Sequence, residues 1–229
     1  MSASNPPEQS GYEIHYADYW SEGSNEKFSR FFKSIFKELE KEILRLQSGI
    51  YSYSPLEVFT MNEATWVGIL SHCIQSAFPE SQCLLEAGIY NDKGSKGRAD
   101  LLVWWDGFMI YVEGKGVLES VKGIRSDKSE SYYDSTISQL KGYVDADKDY
   151  FVLNRKLKHS YLKKANKVFL VPIYFGSLAS KEIVDAAKAS IDGSQPKRTN
   201  FCWLFSQTLN DEEKGVWVYG MVERWNSER

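Results

Sequence analysis

The apolar positions of the chain follow two rhythms. From Asn25 to Gln47, Phe28, Phe31, Phe32, Ile35, Phe36, Leu39 and Ile43 recur at i, i+3, i+4 and i+7, which predicts a helix with an aromatic-rich face. Such a stripe belongs in a core, a partner-binding helix being its other use. A second helix is expected from near Thr60 to Ala77, stopped by Pro79. The rhythm then shortens to strands: Cys83 to Tyr90, a hairpin about Asp106-Gly107, and the β-branched run Val168 to Phe175, expected to be central. Helices are expected over Asp134–Val144 and Ser180–Ser190, with strands over Phe201–Phe205 and Val216–Trp225. Residues 1 to about 24 read as a loosely held polar arm, Gly49 with Pro55 and Asn91 to Gly97 as loops, and Lys122 to Ser131 as a polar stretch. The order α-α-β-β-β-α-β-α-β-β predicts an α/β protein, a mixed sheet flanked by helices. We divide it into an N-terminal arm and amphipathic helix (1–59) and a main domain with a C-terminal strand extension (60–229).

The hairpin carries the chemistry. Asp-Gly between apolar runs favours a two-residue turn. With Trp105 opposite Phe108, the register places Asp100 opposite Glu113. Opposed like charges destabilise a sheet, so a cation is expected between them. One face carries Leu101, Val103, Trp105, Phe108, Ile110 and Val112; the other carries Asp100, Leu102, Trp104, Met109, Tyr111, Glu113 and Lys115. Two carboxylates and an ammonium thus converge at one end of a rigid hairpin. Hard oxygen ligands of this kind suit Mg²⁺. A salt-bridged patch in which Lys115 neutralises Glu113 is the competing reading.

Asp100-x12-Glu113-x-Lys115 resembles the PD-(D/E)xK nuclease superfamily, with Ala99 where the family name has its proline. The strand-turn-strand context gives the short pattern its weight. Gln139-x-x-x-Tyr143, on the helix after the hairpin, resembles the RecB-type branch. The i, i+4 spacing puts both side chains on one helix face, apart from the stripe of Ile137, Leu140 and Val144. The resemblance covers roughly residues 60–175 and implies a restriction-endonuclease-like core: helix, three-strand meander, helix, fourth strand. It implies Mg²⁺, with Mn²⁺ as substitute, held by Asp100, Glu113 and the Gly114 carbonyl. Lys115, Gln139 and Tyr143 would complete the catalytic set. The implied activity is DNA hydrolysis in prokaryotic antiphage defence or DNA processing. A specificity or helicase/ATPase partner protein and a homo-oligomer fit such a role.

Two further acids leave alternatives open. Glu63 either closes a capping box with Thr60 or completes the metal site, as a Glu on the corresponding helix does in the superfamily. Glu86, among apolar strand neighbours, needs a partner; it joins the site or forms an internal ion pair. Lys96 and Arg98 make one end of the hairpin phosphate-friendly, with Arg98 expected opposite Lys115. Arg155, Lys156, Lys158, His159, Lys163, Lys164 and Lys167, interleaved with Tyr161, read as a patch tracking a nucleic-acid backbone, or as a solvated face.

Composition adds limits. At 229 residues with 42% hydrophobic content the chain supports a sizeable core. Its net charge of −3 does not by itself advertise a nucleic-acid binder. Cys73, Cys83 and Cys202 are odd in number and lack CxxC spacing, which argues for reduced thiols, a cytoplasmic protein and no structural zinc. His15, His72 and His159 have no ligand spacing. No signal peptide, membrane span or internal repeat is read. A catalytically silent nuclease-like module, binding nucleic acid or a partner protein, is the rival expectation. DNA contact by the basic stretch has a direct test. Lys163→Ala with Lys164→Ala is expected to weaken binding and to reduce the log K against log salt slope by about 0.9 per lost duplex phosphate contact. Unchanged affinity and slope would make the stretch a solvated face.

Overall fold

The structure, a computed structural model, describes residues 11–20, 26–90, 96–125, 129–153, 167–193 and 199–225. The aromatic stripe forms a helix, α1, over Glu26–Ser48, with Glu26 in its first turn and Arg45 in its last, as the helix dipole favours. Phe28, Phe31, Phe32, Ile35, Phe36, Leu39 and Ile43 are all buried. They pack directly on the sheet: Phe32 stacks on Phe201 at 3.8 Å between centroids, and Phe28 meets Phe169 edge-on at 4.6 Å. The amphipathic helix is thus part of the main core. A 3₁₀ turn at Pro55–Thr60 leads to α2, Glu63–Ala77.

Eight strands follow in one sheet: β1 (Tyr12–Asp18), β2 (Gln82–Tyr90), β3 (Lys96–Trp105), β4 (Phe108–Leu118), β5 (Lys167–Leu178), β6 (Phe201–Leu209), β7 (Glu212–Gly220) and β8 (Glu223–Trp225). Their spatial order is β1-β6-β7-β5-β4-β3-β2, with β8 beside β5. Only β4 and β5 pair in parallel; the other neighbours are antiparallel. Between β4 and β5 run a short helix α3 (Val121–Arg125) and α4 (Ser129–Leu153); α5 is Lys181–Gly193. The α1 and α2 layer covers one face of the sheet, and α4 and α5 cover the other. The molecule is therefore an α/β protein, a mixed, mostly antiparallel sheet between helices, as expected. No described helix is long and apolar enough to cross a membrane.

Three departures have physical causes. Part of the supposed arm is the edge strand β1. Tyr12, Ile14 and Tyr16 alternate along it, Tyr12 stacks on Phe205 at 5.2 Å, and Asp18 is held by Lys33 at 2.9 Å and by Ser29. The expected strand from Val216 to Trp225 is two strands. Pro172 of β5 lies opposite the break and lacks the N–H that pairing there requires. Met221 still donates its N–H to the Pro172 carbonyl, at 3.3 Å, without a reciprocal bond. The polar stretch after the hairpin, to which the sequence pattern assigns no element, carries α3 and the first turn of α4.

Because α1 belongs to the core, Ile35→Ala, at a position with 0% exposure, is expected to cost about 2–5 kcal/mol. Tyr53→Ala, at 99% exposure, should stay within about 0.5 kcal/mol. Urea midpoints of the two variants check both.

Candidate active site

Asp106 and Gly107 both have positive φ, at 49° and 75°, the conformation a two-residue hairpin turn needs. The pairing runs from Trp105↔Phe108 to Leu101↔Val112, in the expected register. It stops one pair short of Asp100 and Glu113. The next hydrogen-bonded pair would join Ala99 to Gly114. Instead the Gly114 N–H donates to the Asp100 carboxylate, Oδ2, at 2.8 Å. The ladder on the other side of Asp100 is broken too, because Glu86 has φ 49° and does not pair with it. Side-chain alternation slips at this point: Ala99 packs with Met109 and Tyr111, whereas Leu101 joins the opposite core. A local break of this kind re-aims a side chain. Asp100 and Glu113 are therefore not a simple cross-strand pair. They stand where β3 and β4 part.

Glu113 is 3% exposed. Its Oε1 accepts from Lys115 Nζ at 2.8 Å and from Gln139 Nε2 at 2.6 Å. Gln139 also donates to the Tyr143 hydroxyl. The same helix buries Ile137, Leu140 and Val144 against the sheet, so α4 has the two faces expected of it. Tyr143 lies directly over β3: a Cβ on Gly97 would come within 2.5 Å of its ring. From the other face, Glu63 accepts the Gly116 N–H at 2.9 Å. Gly114 is required there, because a Cβ would meet Val67 at 2.6 Å. The capping box does not form. Asn62 is the cap, accepting from the Thr65 N–H at 2.9 Å, and Thr60 donates to the Glu57 carbonyl. Glu63, released from capping, turns onto β4.

Glu86 is exposed rather than buried, since its positive φ turns it out of the strand pattern. It pairs with Arg98 at 3.0 Å, so Arg98 does not face Lys115. Glu86 still borders a cavity of about 280 Å³ with Asp100 and Glu63. Lys96 opens β3. Arg155, Lys156, Lys158, Lys163 and Lys164 lie outside the described residues. One contact was missed in the sequence. Thr136, one helical turn before Gln139, hydrogen-bonds Tyr174 at 3.2 Å, and Tyr174 stands in register with Lys115. Its i, i+3 spacing from Gln139 was the available signal.

Burial pushes the Asp100 and Glu113 carboxyls above their ordinary range. The Gly114 N–H and Lys115 work against this at Asp100, and Lys115 and Gln139 at Glu113, while the Asp100 charge adds to the rise at Glu113. Burial opposes the Lys115 charge, yet Glu113 holds its pKa above the usual lysine value. Among the described residues no three His, Cys, Asp or Glu side chains gather as a ligand set. Mg²⁺ needs only one or two carboxylates beside water and phosphate oxygens. The buried Oε2 of Glu113 has no hydrogen-bond partner, so it fits a cation. On an extended strand the N–H and C=O of one residue leave by the same edge. The Gly114 carbonyl therefore faces the same gap between β3 and β4 as its N–H. No protein-family model, curated protein or solved structure matches the chain.

The raised carboxyl pKa values give a sign. Between the ordinary and the raised values the folded protein binds more protons than the unfolded chain, so stability falls as pH rises through that window. Asp100→Asn keeps an acceptor for Gly114 and is expected to raise the metal-free melting temperature at pH 7 and to flatten its pH dependence. Mg²⁺ at a hundredfold its Kd should stabilise the wild type by about 2.7 kcal/mol and leave Asp100→Asn nearly unmoved. Equal Mg²⁺ shifts in both proteins would exclude Asp100 as a ligand.

Proposed function

We propose that the protein is a Mg²⁺-dependent nuclease hydrolysing DNA phosphodiester bonds on a restriction-endonuclease-like core, with Mn²⁺ as a substitute metal. The observation that carries this reading is the meeting of Asp100, Glu113 and Lys115 at a break between strands, with one buried Glu113 oxygen unpartnered. The order α2, β2-β3-β4, α4 and a β5 parallel to β4 agrees with the element order of the PD-(D/E)xK superfamily. Gln139 on Glu113, with Tyr143 behind it, agrees with the RecB-type branch. Antiphage defence or DNA processing is the setting that goes with this resemblance.

Asp100, Glu113 and the Gly114 carbonyl would hold the ion, with Glu63 beside them. Bound there, Mg²⁺ supplies Lewis-acid polarisation of the scissile phosphate. The chain's own groups do the rest. Gln139 fixes the Glu113 carboxylate, leaving Oε2 for the ion. Lys115, with its raised pKa, stays an ammonium at neutral pH and is no general base. It orients the attacking water and offsets charge growing on the phosphoryl oxygens. The water oxygen bonds to phosphorus in line and gives up a proton to solvent, the opposite P–O bond breaks, and the leaving oxygen takes a proton from solvent.

The alternative, a silent binding module, draws on the same Lys115–Glu113 contact at 2.8 Å, which neutralises the site internally. Plasmid, linear duplex, single-stranded DNA and RNA, each with Mg²⁺, Mn²⁺ or EDTA, separate the two. Metal-dependent cutting of DNA is expected. Lys115→Met should reduce it by at least ~10²-fold, as loss of one charge-stabilising donor does, with DNA affinity retained. Cutting of RNA alone would change the substrate. No cutting of any nucleic acid would leave the binding module, and equal cutting by Lys115→Met would move the active site elsewhere.

A further inference from the structure

Glu63 lines two cavities. One holds Asp100 and Glu86 and belongs to the site above. The other, about 440 Å³, lies between the cap of α2 and the C-terminal ends of β4 and β5, and the chemistry described so far does not use it. Phe59 and Phe175 contribute its apolar floor, and Met61, Leu118 and Ala179 its walls. Asn62 and Lys214 are its polar groups besides Glu63 and two hydroxyls. The hydroxyls are already engaged, Ser177 with the Phe59 carbonyl and Thr60 with that of Glu57. Asn62 uses its oxygen to cap α2, which leaves its amide nitrogen to donate.

We propose that this second cavity is a nucleobase subsite, receiving one unpaired base of the strand whose phosphate lies at Asp100 and Glu113. The proposal rests on the nuclease reading and names its substrate class, single-stranded or frayed DNA in preference to intact duplex. Three features favour a base. The volume falls within the range of small-ligand cavities, and apolar walls with a few polar groups are what such ligands meet. The cavity shares the Glu63 wall with the phosphate site, so one strand can serve both. Leu118 is 79% exposed at the end of β4, two residues beyond Gly116, where an apolar side chain can bear on a base face. The Lys214 ammonium, 3.6 Å from Glu212, offers a cation to a neighbouring phosphate. A stacked base pair cannot enter a cavity of this kind; the base must leave the stack, which costs least where the strand is already unpaired.

The test uses the full chain with two variants at exposed positions, Ala179→Trp to fill the cavity and Leu118→Ser to strip its wall. Binding of deoxynucleoside monophosphates with Mg²⁺ is followed by calorimetry, and cleavage is compared on matched single-stranded and duplex oligonucleotides. Thermal melting verifies that both variants fold. The wild type should bind the nucleotide and cut single strands faster than duplex. Leu118→Ser should weaken nucleotide binding roughly fivefold, the effect of losing about half the burial of one leucine. Ala179→Trp should weaken it by roughly tenfold or more by occupying the space. Both should slow single-strand cleavage in parallel. Cleavage by the wild type with both variants unchanged overturns the subsite and leaves the nuclease intact. Variant-sensitive nucleotide binding without any cleavage removes the nuclease and leaves a nucleotide site. No nucleotide binding by the wild type overturns the proposal.

Discussion

The hydrogen bond from the Gly114 N–H to the Asp100 carboxylate organises the end of the hairpin where the candidate site lies. It takes a donor that the hairpin ladder would otherwise use, so β3 and β4 part at Asp100. From that residue outward, β3 is held by β2 alone and β4 by β5 alone. The opening leaves backbone and carboxylate oxygens free of ladder pairing between two interior strands of the sheet. Buried backbone donors are seldom left unpaired, and a side chain that satisfies one while ending a ladder provides both stability and an aperture.

The rest of the sheet makes that aperture rigid. β5 is central, paired along its length with β4 and on its other edge with β7 and β8. The α1 aromatics close one face, and α4 closes the other with Leu140 and Val144 at 0% exposure. The opening is then reached from both faces. Glu63 comes from α2 and Gln139 from α4, and their helices approach over glycines in the opposing strands, Val67 of α2 over Gly114 and Tyr143 of α4 over Gly97. Thr136 on Tyr174 ties the α4 side to the strand next to Lys115. Constellations built on strands and helices are held more narrowly than those on loops.

The electrostatics run against the stability of the isolated chain. Burial raises the cost of both carboxylates, the Asp100 charge adds to it at Glu113 and those of Glu63 and Glu86 at Asp100, and a single ammonium offsets part of it. Elsewhere the protein satisfies its buried acids. Glu213 has both Lys188, at 2.9 Å, and Lys181, at 3.2 Å, and Glu119 accepts from Tyr219 at 3.0 Å. Glu113, by contrast, keeps one buried oxygen unpaired beside a second acid.

Features that repeat along the chain were legible without a structure. The α1 stripe, the Asp106-Gly107 turn with its register, the two-faced α4 and the central β5 follow from periods of 3.6 and 2 and from one dipeptide. The hairpin register brought Asp100, Glu113 and Lys115 to one end, and the resemblance to the RecB-type branch added Gln139 and Tyr143 there. Features set by distant partners were not legible. Tyr12 to Asp18 becomes a strand because β6 offers it an edge. The last strand divides because Pro172, some fifty residues earlier, lies opposite the break. Glu86 and Arg98 pair with each other, and Glu63 caps β4 rather than its own helix, because backbone torsions and the Asn62 cap redirect them. Periodicity reports which face a residue is on. Which donor meets which acceptor depends on where strands end, and that is settled only when the whole sheet is assembled.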